Sequence, residues 1–157
     1  MKKIKNPYNL VENKCFACSD KNPIGLKLTF EESDRFMHAT WEPSEYYQGY
    51  VNILHGGIIA TLLDEIGAWC VNVKVGTAGV TSELSVKYLK PVFITKGNIT
   101  MKAEIIERKE RNIMLRCYLY DASGTLCAQA ETDFFIYPED IARRRLNFPG
   151  RESFYYD

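Results

Sequence analysis

The stretch "NILHGGIIATLLDEIGAWC", residues 52–70, decides the fold of this chain. From Ile58 onward apolar residues recur at positions 58, 59, 62, 63, 66, 69, 70 and 73, the spacing of one helical face. This predicts a single long helix ending near Gly76. His55, Gly56 and Gly57 precede the apolar positions, and two adjacent acids, Asp64 and Glu65, interrupt them. At about 100° per residue the apolar face centres between Ile66 and Val73, which sets Asp64 almost opposite and Glu65 on the flank. Around Asp64 lie Gly57, Ala60, Thr61, Gly67, Ala68 and Val71. A solvated face normally carries long charged side chains, whereas small or apolar ones let a backbone or a ligand approach closely. Asp64 is therefore expected to face a contact. Gly56 and Gly57 would leave backbone N–H groups uncovered at the helix start, where orphan donors and the helix dipole favour a developing negative charge, as in an oxyanion hole. Close helix packing would also call for glycines, and His55 reads either as a cap or as a reacting group.

Working outward, residues 26–43 read as a β-hairpin, because LKLTFEE and FMHATWEP alternate partially around the polar turn SDR. A tyrosine-rich loop, SEYYQGYVN, leads to the helix. Four strand-like runs follow it: VTSELSVKYL (80–89), NITMKAEIIERK (98–109), NIMLRCYLYD (112–121) and TLCAQAETDFFIY (125–137). A long helix followed by a meander of antiparallel strands is an α+β pattern. Residues 138–157 show neither period and read as a tail packed over the domain by its aromatics.

The length of 157 residues suits one domain. Lysine plus arginine and aspartate plus glutamate each number 20, so the net charge is zero and offers no general attraction to nucleic acid or an anionic membrane. No apolar run follows the amino-terminal lysines as in a secretory signal, and none is long enough to span a bilayer, so a cytoplasmic location is expected. Five cysteines, an odd number, do not form a disulfide framework. CFAC, Cys15 to Cys18, has the spacing of half a zinc site. The other candidates, Cys70, Cys117, Cys127, His38 and His55, contain no second close pair, so no metal centre is expected. The proline and glycine of NPIGLKL that follow do not suit a redox CxxC either, leaving a structural or incidental pair.

HGGIIATLLDE, preceded by YYQG and followed by GVTSELSVKYLKPV, resembles the hotdog-fold acyl-coenzyme A thioesterases of the PaaI and 4-hydroxybenzoyl-CoA thioesterase type. CFACSDKNPIGLKL is similar to the amino-terminal segment of a PaaI-like subgroup, so the resemblance covers most of the chain. It implies one hotdog domain over residues 1–157, with an amino-terminal segment 1–25 and a tail 138–157. In that fold an antiparallel sheet wraps one long central helix. It also implies a homodimer or dimer of dimers, with sheets joined edge to edge and active sites between subunits. Carried over residue by residue, Asp64 is the acid that activates water or attacks the thioester, and the Gly56 N–H holds the carbonyl oxygen. His55 lies near the thioester, and Thr81 orients the water. Gln48 supplies an amide, with Asn52 as second candidate. Glu65 is a rival acid, and Gly57, Lys87 and Lys90 are substrate-binding candidates beside it; Lys96 and Arg143 to Arg145 are further candidates for the coenzyme A phosphates. The implied substrate is an acyl-CoA, with no cofactor beyond the coenzyme A it carries and no metal. Two other readings of the same fold are an acyl-CoA binding or regulatory module and a dehydratase or hydratase.

Overall fold

The computed structural model describes residues 1–9 and 12–157. The long helix forms where its period requires. Helix α1 runs Gly56–Cys70 and continues through a π-helical turn, Val71–Val75. It closes at Gly76, whose φ of 83° is the left-handed conformation that glycine adopts without strain.

Among the described residues seven strands build one antiparallel sheet. They are β1 (Lys2–Ile4), β2 (Thr29–Glu32), β3 (Met37–Trp41), β4 (Gly79–Tyr88), β5 (Ile99–Arg108), β6 (Asn112–Tyr120) and β7 (Leu126–Ile136), in the order β1-β2-β3-β5-β6-β7-β4. Along β6 the buried residues are Ile113, Leu115, Cys117 and Leu119, so every second side chain enters the core. The sheet wraps α1, which buries Ile59, Leu62, Leu63, Ile66, Trp69 and Cys70. Gly67, on the small-residue side near Asp64, is buried as well: a Cβ there would come 3.1 Å from Thr132 Cγ2 and 3.2 Å from the Phe134 ring. Part of the face expected to meet a contact thus meets the sheet.

The hairpin and the four later strands form where alternation places them, but only β5, β6 and β7 make a meander. Strand β4 pairs along its length with β7, from Gly79↔Ile136 to Tyr88↔Ala128, while β5 takes β3 as its other neighbour. The chain crosses between them through Pro91 and a short turn, Ile94–Lys96, pinned by a bridge between Ile53 and Phe93. The short strand β1, paired with β2 through Lys2↔Glu32, is too brief to show a period.

The tail forms helix α2 (Glu139–Leu146) and buries Phe148 and Phe154. Phe154 meets the Trp69 ring edge-on at 5.4 Å, and Phe30 stacks on Trp69 at 4.0 Å. Burying a side chain the size of Phe154 contributes roughly 1.5–3 kcal/mol, enough to hold the chain end down. Among the described residues no helix is long and apolar enough to cross a membrane.

Candidate functional site

Asp64 lies halfway along α1, half-buried, where the helix passes the edge strand β4. Its Oδ1 accepts a hydrogen bond from Thr81 Oγ1 at 2.7 Å. Burial pushes the Asp64 carboxyl above its ordinary value, and the Thr81 hydrogen bond pulls it part of the way back. The direction of Thr81 comes from a bulge. Pairing with β7 jumps from Thr81↔Phe134 to Glu83↔Asp133, leaving Ser82 as the extra residue with its hydroxyl on the Asp133 carbonyl at 2.9 Å. Such insertions re-aim neighbouring side chains.

At the start of α1, His55 is the cap: its Nδ1 accepts the Gly57 N–H at 2.8 Å. A nitrogen that accepts carries no proton, so in this hydrogen bond the exposed ring holds its hydrogen on Nε2. The Gly56 N–H has no acceptor among the described residues, and the Gly56 carbonyl accepts the Tyr88 hydroxyl at 2.7 Å. A Cβ at Gly56 would stand 3.5 Å from the Tyr88 ring, an ordinary contact. Nothing within the chain therefore demands a glycine at that position. Gly57 differs, since a Cβ there would lie 3.0 Å from His55 Nδ1 and crowd the cap.

Tyr46, Tyr47, Gln48, His55, Gly57 and Ile58 line an open cleft of about 300 Å³. Gln48 Oε1 accepts the Asn52 N–H at 3.0 Å. Asn52 itself, at φ 64°, holds the crossing segment: its Oδ1 accepts the Thr95 N–H at 3.1 Å and its carbonyl the Ile94 N–H at 3.0 Å. Of the two amides, Gln48 is the one in the cleft. A larger cavity, about 520 Å³ beside Tyr8 and Asn147, shares none of these residues.

Glu65 turns to the other flank of α1. Its Oε1 accepts Trp69 Nε1–H at 3.0 Å and lies 3.7 Å from Cys15 Sγ, and burial pushes its carboxyl up to about 7. Lys87 and Lys90 are exposed at the β4 end, whereas Arg143 and Arg144 pair with Glu139 and Asp140 on α2. The structure thus joins Asp64 with Thr81, and Gln48 with His55 and Gly57, as two separate groups. Asp64 and Gly56 are eight residues apart on one helix, about 12 Å along its axis at 1.5 Å per residue. Tyr88, which steadies Gly56, escapes sequence reading because its run looks like any strand.

Residues 51–128 match the family model described as the thioesterase superfamily. A protein of Saccharolobus solfataricus named "Putative esterase SSO1253" is 32% identical over 97 residues, covering 60% of this chain and 63% of that one. The chain therefore spans a little under two thirds of that relative's length. Among solved structures, Escherichia coli PaaI, from the phenylacetic acid degradation operon, superposes with a TM-score of 0.66 at 19% identity, covering 73% of this chain and 82% of its own. The Streptococcus mutans protein smu.793, solved bound to acetyl-CoA, gives 0.65 at 20% identity, covering 71% of this chain and 90% of its own. At these identities the likeness is one of fold, the hotdog arrangement of an antiparallel sheet around one long helix.

Proposed function

Since residues 51–128 match the thioesterase superfamily, we propose that the chain hydrolyses acyl-CoA thioesters, with Asp64 driving water onto the thioester carbonyl. The observation that carries this reading is the 2.7 Å hydrogen bond between Thr81 and a half-buried Asp64 carboxylate. Thr81 occupies Oδ1 and leaves Oδ2 to take a proton from water. The water oxygen bonds to the carbonyl carbon, and the resulting oxyanion needs donors. The uncovered Gly56 N–H supplies one, and the Gln48 amide a second. The C–S bond then breaks and coenzyme A leaves as thiolate; the His55 Nε2–H is placed to hydrogen-bond that sulfur, and the proton held by Asp64 passes to the thiolate or to solvent.

The 12 Å between Asp64 and Gly56 supports a site shared by two subunits, in which Gly56 and Gln48 of the partner subunit meet Asp64 and Thr81. Strand β4 offers the edge for such pairing: ten residues long, free on one side, with Val80 and Tyr88 about half exposed at 44% and 53%. A glycine at position 56 that its own chain does not require fits a close approach from outside. Lys87 and Lys90, exposed beside that edge, are the basic groups available to coenzyme A phosphates. The acetyl-CoA seen in the similarly folded Streptococcus mutans protein supports the ligand class. A panel of acyl-CoA esters assayed for free-thiol release tests the reading. Turnover of at least one ester, abolished by Asp64→Asn, is expected; binding of acyl-CoA without thiol release by any ester would overturn it.

A further inference from the structure

The amino-terminal segment carries two cysteines for which hydrolysis has no use. Cys15 and Cys18 are free thiols, the first half-buried and the second buried. Folding brings a third donor to them from a distant element. Cys15 Sγ, Cys18 Sγ and a Glu65 carboxylate oxygen all lie within 4.8 Å of one another, although Glu65 is 50 residues further along the chain.

We infer that Cys15, Cys18 and Glu65 form a binding site for one divalent cation of the zinc type, which staples the amino-terminal segment to the central helix. Three observations support it. The first is charge. None of the ion pairs among the described residues involves Glu65, so a carboxylate and two thiols share a partly dry site with no cationic side chain to balance them. A dication supplies that balance. The second is the orientation of the donors. Glu65 is held by Trp69 Nε1–H at 3.0 Å, and Cys15 Sγ accepts the Cys18 backbone N–H at 3.4 Å. Metal ligands are typically steered by outer hydrogen bonds of this sort. The third is the segment itself. Residues 12–28 contain turns and no regular element, and are tied by short polar links such as Asn13 Oδ1 to the Cys15 N–H at 3.0 Å and Asn6 Nδ2 to the Cys18 carbonyl at 2.8 Å.

Two thiolates and one carboxylate leave the fourth tetrahedral position to water, and thiolate sulfur favours zinc over magnesium or calcium. Binding releases the protons of both thiols to solvent and changes no oxidation state. The staple also reaches the cleft. Leu26 N–H bonds the Phe16 carbonyl at 2.8 Å, and the Tyr47 hydroxyl is shared between the Ile24 and Gly25 carbonyls at 3.0 and 3.1 Å. Tyr47 in turn lines the cleft with Gln48 and His55.

The test titrates the reduced, chelator-treated full chain with cobalt(II) alone and then displaces the cobalt with zinc. Expected are one cobalt per chain, a thiolate-to-cobalt charge-transfer band, and loss of that band in Cys15→Ser and Cys18→Ser. Glu65→Gln should keep a thiolate band and weaken binding at least tenfold, on the scale seen when metal-site partners are lost. Cys127→Ser, outside the cluster, should titrate as the wild type does. Should a cysteine variant fail to fold, the wild-type and Glu65→Gln titrations decide alone. Absence of cobalt uptake by the reduced wild type overturns the site, as does uptake that Glu65→Gln leaves unchanged.

Discussion

At the scale of single residues, the question is what distinguishes two adjacent acids on one helix. Asp64 meets Thr81 at the sheet edge, whereas Glu65 meets Trp69 and Cys15 on the other flank. Asp64→Asn is expected to lower kcat by at least about 10²-fold, the usual loss for a positioned general base, with the thermal unfolding curve retained. Near-normal turnover in that variant would remove Asp64 from the chemistry. The pH dependence has a definite sign. A base works deprotonated, so activity falls as pH drops through its pKa, and burial raises that pKa for Asp64. The Thr81 hydrogen bond acts against the rise, so Thr81→Val should move the acid limb of kcat/KM to higher pH than in the wild type. A limb that stays in place would separate Thr81 from Asp64. The sequence makes Asp64 a candidate through its small neighbours, but the aim of Thr81 depends on the Ser82 bulge, which no local pattern announces.

At the scale of elements, the position of β4 is the decision that makes a site. Its first residue passes very close to β7: a Cβ on Gly79 would lie 2.2 Å from the Phe135 carbonyl oxygen. Gly79→Ala is therefore expected to destabilise the fold by about 1–3 kcal/mol, the range for forcing extra volume into a packed position. Urea denaturation measures this; a change within about 0.3 kcal/mol would mean that the strand relaxes freely. The same alanine at Gly124, where a Cβ would meet nothing within 4 Å but φ is 81°, tests backbone strain alone and should cost about 1–2 kcal/mol. Alternation makes the strand itself legible over residues 80–89. Its neighbour is not legible, because pairing to β7 rather than β5 follows from β3 filling the other side of β5.

At the scale of the whole molecule, the proposed site requires two copies of the chain. If Asp64 comes from one subunit and Gln48 from the other, Asp64→Asn and Gln48→Ala, each inactive alone, complement when their subunits exchange. In a mixed dimer one composite site carries both substitutions and the other neither. Random exchange makes about half the dimers mixed, so roughly a quarter of wild-type activity should return by the symmetry of the pairing. No recovery, with exchange demonstrated by labelled subunits, would place both residues within one chain.

The sequence by itself determined the longer elements of this protein, a long helix ending near Gly76 from a 3.6-residue period and strands from alternation, whereas β1 and α2 carried no legible period. It also made His55, Gly56 and Asp64 candidates through their types and their placement along one helix, with roles that only the family resemblance implies. These are local properties, written within a few turns of chain. Tertiary structure alone decided which of them meet. It set β4 at the sheet edge, brought Thr81 to Asp64, placed the Tyr88 hydroxyl on the Gly56 carbonyl and carried Glu65 to the two cysteines. Those contacts join residues 17, 32 and 50 positions apart. Their closure depends on the competition of strands for partners across the whole sheet, and no short stretch of sequence contains that competition.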